Sequence, residues 1–173
     1  AWAGDDEVDL VVIDAAGDKA FCAGGDIAAL YHEGKAGRFD TARRFFADEY
    51  RLNRQIAHYP KPYVAMMDGI VMGGGVGLSA HGRLRIVSER SMVAMPECGI
   101  GLIPDVGGTL VLGRAPGRLG EYLGLTGFRM KAADAIFAGF ADRYLPSARM
   151  GEAVERLEAS GDPQAIEDLF ETP

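Results

Sequence analysis

Two glycine clusters, "FCAGGDI" at residues 21–27 and "VMGGGVGL" at 71–78, each follow a hydrophobic run, and they constrain the fold more than any other feature of the chain. Glycine costs about 0.5–1 kcal/mol relative to alanine inside a helix, so the triplet Gly73, Gly74, Gly75 is a poor way merely to build one. Either cluster alone reads as a tight turn or a close helix–strand contact. Two together point to backbone that another group must approach. A main-chain N–H at the start of a helix is unpaired and carries part of the macrodipole, so it can donate to an oxygen that becomes negative. No Lys-Ser or Lys-Thr follows either cluster, which excludes a Walker A loop, and a dinucleotide fingerprint has neither its spacing nor its acidic residue here. The remaining use is an oxyanion hole. Each strand exit would lend one amide to the same acyl oxygen, and losing one such donor costs about 2.7–4 kcal/mol of transition-state stabilisation.

The rest of the pattern supplies the frame for such a site. "VDLVVIDA" (Val8 to Ala15) reads as a buried strand ending in a turn at "AGDK". Asp26 is placed to cap a helix through "IAALYHE", broken by "GKAG". From Phe39 to Tyr59, Phe45, Phe46, Tyr50, Leu52 and Ile56 recur near helical spacing, giving an amphipathic helix ended by Pro60 and Pro62. "YVAMMDG" is a second buried strand, and "VMGGGVGLSAHG" a closely packed helix. "LRIVS" and "SMVAM" flank a charged "ER" turn, as the strands of a hairpin do. Three short helices follow in "DVGGTLVLGRA", "RLGEYLGLTG" and "KAADAIFAG", then a strand in "ADRYLPS" and helices from about Ala148. Strands alternating with helices make the class α/β, and 173 residues fit one domain over 1–173.

Composition narrows the partners. A net charge of −7 argues against a nucleic-acid surface, and no apolar run approaches the roughly 18–20 residues of a membrane helix. Cys22 and Cys98 form no disulfide framework or CxxC pair and read as small core residues, and nothing at the start suggests secretion, so the expected location is the cytoplasm. His32, His58 and His81 lack metal-ligand spacing; no metal is expected and no chemistry is assigned to them.

"KAFCAGGDI", "KPYVAMMDGIVMGGGVGL", "MPECGIGLIPDVGGT" and "LTGF" together resemble the crotonase (enoyl-CoA hydratase/isomerase) superfamily, in the family's order and over nearly the whole chain. The resemblance implies a spiral of repeated ββα units without the family's N-terminal unit and C-terminal helices. It also implies a coenzyme A thioester as substrate, no cofactor apart from that coenzyme, and a homo-oligomer. The amides of Gly25 and Gly74 would hold the carbonyl. Ala23, Gly24 and Asp26 would line the substrate, with Asp26 also capping its helix and aiming the Gly25 amide.

The acids decide the chemistry within that resemblance. Hydratases of the family use two glutamates; this chain has Gly77 at the first position and Glu97 at the second, and Asp105 where hydratases have glycine. That set, with "FFADEY", resembles the 3-hydroxyisobutyryl-CoA hydrolase branch. It implies thioester hydrolysis, of valine-degradation type, with Glu97 as general base or nucleophile, Asp105 orienting it or handling a proton, and Glu49 reaching the 3-hydroxyl. Each has a plainer alternative: a helix N-terminal acid for Glu97, an N-cap for Asp105 and a solvated helix face for Glu49. The competing functions are an enoyl-CoA hydratase or isomerase, and a non-catalytic subunit that keeps the scaffold.

Overall fold

The computed structural model describes residues 2–17 and 19–173, so Asp18 in the expected "AGDK" turn lies outside the described residues. Among the described residues, seven strands form two parallel sheets, with alternate strands going to alternate sheets. The first sheet orders β1 (Val11–Ile13), β3 (Tyr63–Met67), β5 (Leu84–Val87) and β7 (Arg143–Tyr144); the second orders β2 (Ala20–Cys22), β4 (Ile70–Met72) and β6 (Met92–Ala94). Every paired strand runs parallel to its neighbour because helices return the chain after each pair. These helices are α1 (Ile27–Lys35) and α2 (Phe39–Ala57) after β2, then α3 (Gly74–Ser79) after β4. After β6 come a 3-10 turn at Glu97–Ile100 and helices α4 (Gly108–Arg114), α5 (Leu119–Thr126) and α6 (Ala132–Phe137); α7 (Met150–Ser160) follows β7. The result is a coil of ββα units.

Strand β3 is buried at all five residues because both of its faces are covered. Tyr63, Ala65 and Met67 join the core inside the coil, whereas Val64 and Met66 meet Leu157, Ile166 and Leu169 of the C-terminal helical layer. This period of two is the strand's own geometry expressed as two separate cores. Fully burying an aliphatic side chain of this kind is worth about 1.5–3 kcal/mol, so β3 anchors both layers.

Two expectations fail here, and the helix expected over "VMGGGVGLSAHG" begins only at Gly74, Val71 and Met72 being the end of β4. "LRIVS" and "SMVAM" are not a hairpin: β5 and β6 lie in different sheets and each pairs in parallel with another strand. The Ser88–Ser91 turn is a corner between sheets. Ser91 Oγ donates to the Met67 carbonyl at 2.6 Å and accepts from the Ser88 amide at 2.7 Å, while Asp68 takes the Ser88 hydroxyl and pairs with Arg90. The buried strand expected within Val8 to Ala15 shrinks to Val11–Ile13, half-buried at the edge of its sheet.

The glycine triplet is explained by packing. A methyl group on Gly75 would lie 2.1 Å from the Cys22 carbonyl oxygen, so α3 sits backbone against backbone on the end of β2. Helix α2 crosses above: a methyl group on Gly25 would run into the Phe45 ring at 2.4 Å. Both glycine clusters are thereby pressed into one place.

Candidate active site

Ala23, Gly24, Gly25, Glu49, Gly74, Glu97 and Asp105 line one cavity of about 230 Å³, together with Gly73 and the apolar Phe45, Phe46, Ile100 and Leu102. Seven of the eight residues singled out in the sequence therefore meet. Asp26 stands apart: it is exposed, and its carboxylate accepts a 2.9 Å bond from the Ala29 amide as the N-cap of α1.

The floor is bare backbone. A methyl group on Gly74 would approach Gly24 Cα at 3.3 Å and the Gly25 nitrogen at 3.7 Å, so the two strand exits are in van der Waals contact. Among the described residues, neither the Gly25 nor the Gly74 amide has a protein acceptor. Unpaired amides at a cavity wall are available to a ligand oxygen.

Carboxylates form the walls. Glu97 opens the 3-10 turn after Pro96 and is only 5 % exposed. Neither of its carboxylate oxygens has a hydrogen-bond partner among the described residues, and Oε1 lies 3.0 Å from where a Gly73 side chain would begin. Burial pushes its carboxyl above the ordinary glutamate value; its own main-chain amide, not aligned as a hydrogen bond, pulls the other way, and the charges of Asp105 and Glu49 add to the rise. Glu49 is half-buried, with Oε1 2.7 Å from a methyl group placed on Gly74, and burial followed by the Asp105 charge raises its carboxyl too. A solvated helix face does not describe it. Asp105 accepts a 2.8 Å hydrogen bond from the Tyr50 hydroxyl. Its side chain caps no helix; the N-cap of α4 is Gly107.

The turn that carries Asp105 is unusual. The Gly108 amide donates to the Asp105 carbonyl at 2.6 Å, closing a turn in which Val106 has φ 47° and Gly107 φ 74°. Two positive φ angles match a type I′ turn, which favours Asn-Gly, whereas a β-branched residue there is an outlier. Such backbone costs about 1–3 kcal/mol and persists where surroundings enforce it. Val106 is the one non-glycine residue with positive φ among the described residues.

Sequence reasoning missed Asn53 and Tyr50 as site residues. Asn53 is 5 % exposed, its amide oxygen and nitrogen both lack partners among the described residues, and it adjoins a neighbouring cavity that Glu49 and Gly74 also line. The signal was its place on α2: Phe46, Glu49, Asn53 and Ile56 share one helical stripe, so two polar residues occupy a buried seam. At position 77 a methyl group would meet Asn53 Nδ2 and Val106 Cβ, each at 2.7 Å. Cys98, read as a core residue, is exposed; Cys22 is half-buried. Among the described residues, no group of three or more His, Cys, Asp and Glu is arranged to hold a metal, and no helix is long and apolar enough to cross a membrane.

The family model described as enoyl-CoA hydratase/isomerase matches residues 1–172. A 3-hydroxyisobutyryl-CoA hydrolase, mitochondrial, of Danio rerio is 52% identical over 157 residues, which are 91% of this chain and 40% of that protein. The protein of the same name in Gallus gallus is 49% identical over 173 residues, covering 98% of this chain and 44% of the relative. The chain thus spans less than half the length of the curated relatives it matches. Among solved structures, a carnitinyl-CoA dehydratase from Mycobacterium thermoresistibile superposes with a TM-score of 0.95 at 52% identity, over 99% of this chain and 50% of that one. An enoyl-CoA hydratase from Rhodobacter sphaeroides 2.4.1 gives 0.90 at 58% identity, over 92% and 48%. The relatives' names overturn the expected cytoplasmic location, because they are called mitochondrial. Two free thiols and an unremarkable first stretch carry no address in a chain that spans so little of its relatives.

Proposed function

The chain belongs to the enoyl-CoA hydratase/isomerase family, and from that premise we propose that residues 1–173 form the acyl-CoA-binding core of a hydrolase. It splits 3-hydroxyisobutyryl-CoA into 3-hydroxyisobutyrate and free coenzyme A, a step of valine-degradation type, with no cofactor beyond the coenzyme of the substrate. The observation that carries this reading is position 77. Water addition to an enoyl thioester calls for a second acid beside Glu97, and the space beside Gly77 is filled by Asn53 and Val106. Hydrolysis needs one activated carboxylate and stabilisation of the carbonyl oxygen.

In this mechanism the thioester oxygen accepts from the Gly25 and Gly74 amides, which become worth more as negative charge develops on it. Glu97 either takes a proton from water as that water attacks the carbonyl carbon, or attacks the carbon itself to give an anhydride that water then opens. In both routes the C–S bond breaks, and the thiolate leaves and is protonated. Asp105, hydrogen-bonded by Tyr50, passes that proton or orients the attack, and Glu49 accepts from the 3-hydroxyl. The names of the curated relatives support this reading, while the names of the two solved structures favour the hydratase alternative.

The test is product analysis with the full-length gene product, given 3-hydroxyisobutyryl-CoA and crotonyl-CoA side by side. Free thiol released from the first is expected. Consumption of the unsaturated thioester without thiol release would favour a hydratase, and binding without turnover a non-catalytic subunit.

A further inference from the structure

We propose that His81 is a positioning residue that sets Asp105 through the strained Val106 turn. The proposal rests on Asp105 taking part in thioester hydrolysis as inferred above. His81 lies two residues past the end of α3 and is half-buried. Its Nε2 is 2.7 Å from the Val106 carbonyl oxygen. A carbonyl only accepts, so Nε2 carries the proton and donates. The ring also turns its Cε1–Nε2 edge toward the next residue: a methyl group on Gly107 would meet both atoms at 2.7 Å. Both central residues of the turn are thus held by one imidazole.

The other side of the turn is held by an absence. The isopropyl group of Val106 is buried and packs on the bare Cα of Gly77. Gly77 lies inside α3, and His81 lies just beyond it. The six-residue helix, about 9 Å long, therefore presents the Gly74 amide at one end and grips the Asp105 turn along its body and at the other end. The Gly74 amide donor and the acid are fixed to one strut. A side chain at position 77 and an aspartate held by this turn exclude each other, because both need the space that Val106 fills.

The experiment uses the full-length protein, thiol release from 3-hydroxyisobutyryl-CoA and the variants His81→Phe, which keeps a ring without a donor, and His81→Gln, which keeps a donor. His81→Phe should lower kcat about tenfold with KM within about twofold, and His81→Gln should recover at least half of the wild-type rate. In an Asp105→Asn background, His81→Phe should cost less than about twofold, because the histidine acts through the acid. A full rate in His81→Phe, or the same fold-loss in both backgrounds, would overturn the proposal. Nitrogen-15 NMR of the wild-type imidazole gives a readout free of activity: an Nε2–H tautomer at neutral pH is expected, and an Nδ1–H tautomer would overturn the contact. If the wild type releases no thiol, the hydrolase reading falls while the NMR result still decides whether His81 holds the turn; the same holds if His81→Phe does not fold.

Discussion

The hydroxyl of Tyr50 on α2 donates a 2.8 Å hydrogen bond to the Asp105 carboxylate, joining two positions 55 residues apart in the chain. Burial, followed by this bond and the nearby carboxylates, raises the tyrosine's own ionisation well above its usual value, so it remains a donor throughout the working range. Tyr50→Phe removes the donor and keeps the ring. Turnover should fall about tenfold, equivalent to about 1.4 kcal/mol, with little change in melting temperature. Steady-state kinetics beside a thermal melt checks this, and an unchanged kcat would show that Asp105 needs no anchor.

Glu97→Gln is nearly isosteric and removes the charge. Thiol release should drop by about 10²–10⁴, whereas coenzyme A affinity, measured by calorimetry, should stay within about threefold. Wild-type rates in this variant would remove Glu97 from the mechanism.

The same substitution has a signature in stability. Burial raises the folded-state pKa of Glu97 above its unfolded value, so the folded protein holds that proton more tightly. The associated stability is complete below the unfolded pKa and is lost as pH rises through the folded one. Glutamine does not titrate. The melting temperature of Glu97→Gln minus that of the wild type should therefore become more positive from pH 4 to pH 8, and a flat or falling difference would contradict the buried, unpartnered carboxylate.

Glu49 faces the cavity against Gly74 and has no hydrogen-bond partner among the described residues. If it receives the substrate hydroxyl, Glu49→Ala should erode the preference for 3-hydroxyisobutyryl-CoA over the thioester lacking that hydroxyl by at least about tenfold. Equal loss on both thioesters would assign Glu49 to the common chemistry instead.

Gly75→Ala tests the backbone contact beneath the site. The added methyl meets the Cys22 carbonyl oxygen at 2.1 Å and its carbon at 2.9 Å, main-chain atoms that cannot rotate away. Destabilisation of about 1–3 kcal/mol is expected from the shift in urea midpoint.

Legibility followed the range of the physics involved. Helix α2 was readable from its period, and its observed span, Phe39–Ala57, nearly matches the expected one. The N-cap at Asp26 was readable from local chemistry. The hairpin was misread because a short β-branched run specifies a strand but carries nothing about which sheet it joins; β5 pairs with β3 and β6 with β4, partners distant in sequence. Glu97 and Asp105 were located through resemblance, and their burial, charge coupling and the Tyr50 contact came only with coordinates. The Asp105 turn was hidden altogether. Valine gives no hint of positive φ, and the groups that touch it, Gly77 and His81, lie far away in sequence.

The alternation of strands between two sheets also dictates a schedule. Synthesis runs from the N- to the C-terminal side, so the stretch bearing Gly24 and Gly25 leaves the ribosome before the one bearing Gly74, and Glu97 and Asp105 follow both. Once the residues up to about 90 have left the exit tunnel, the two glycine segments that pack on each other are both present, while Glu97 and Asp105 have yet to arrive.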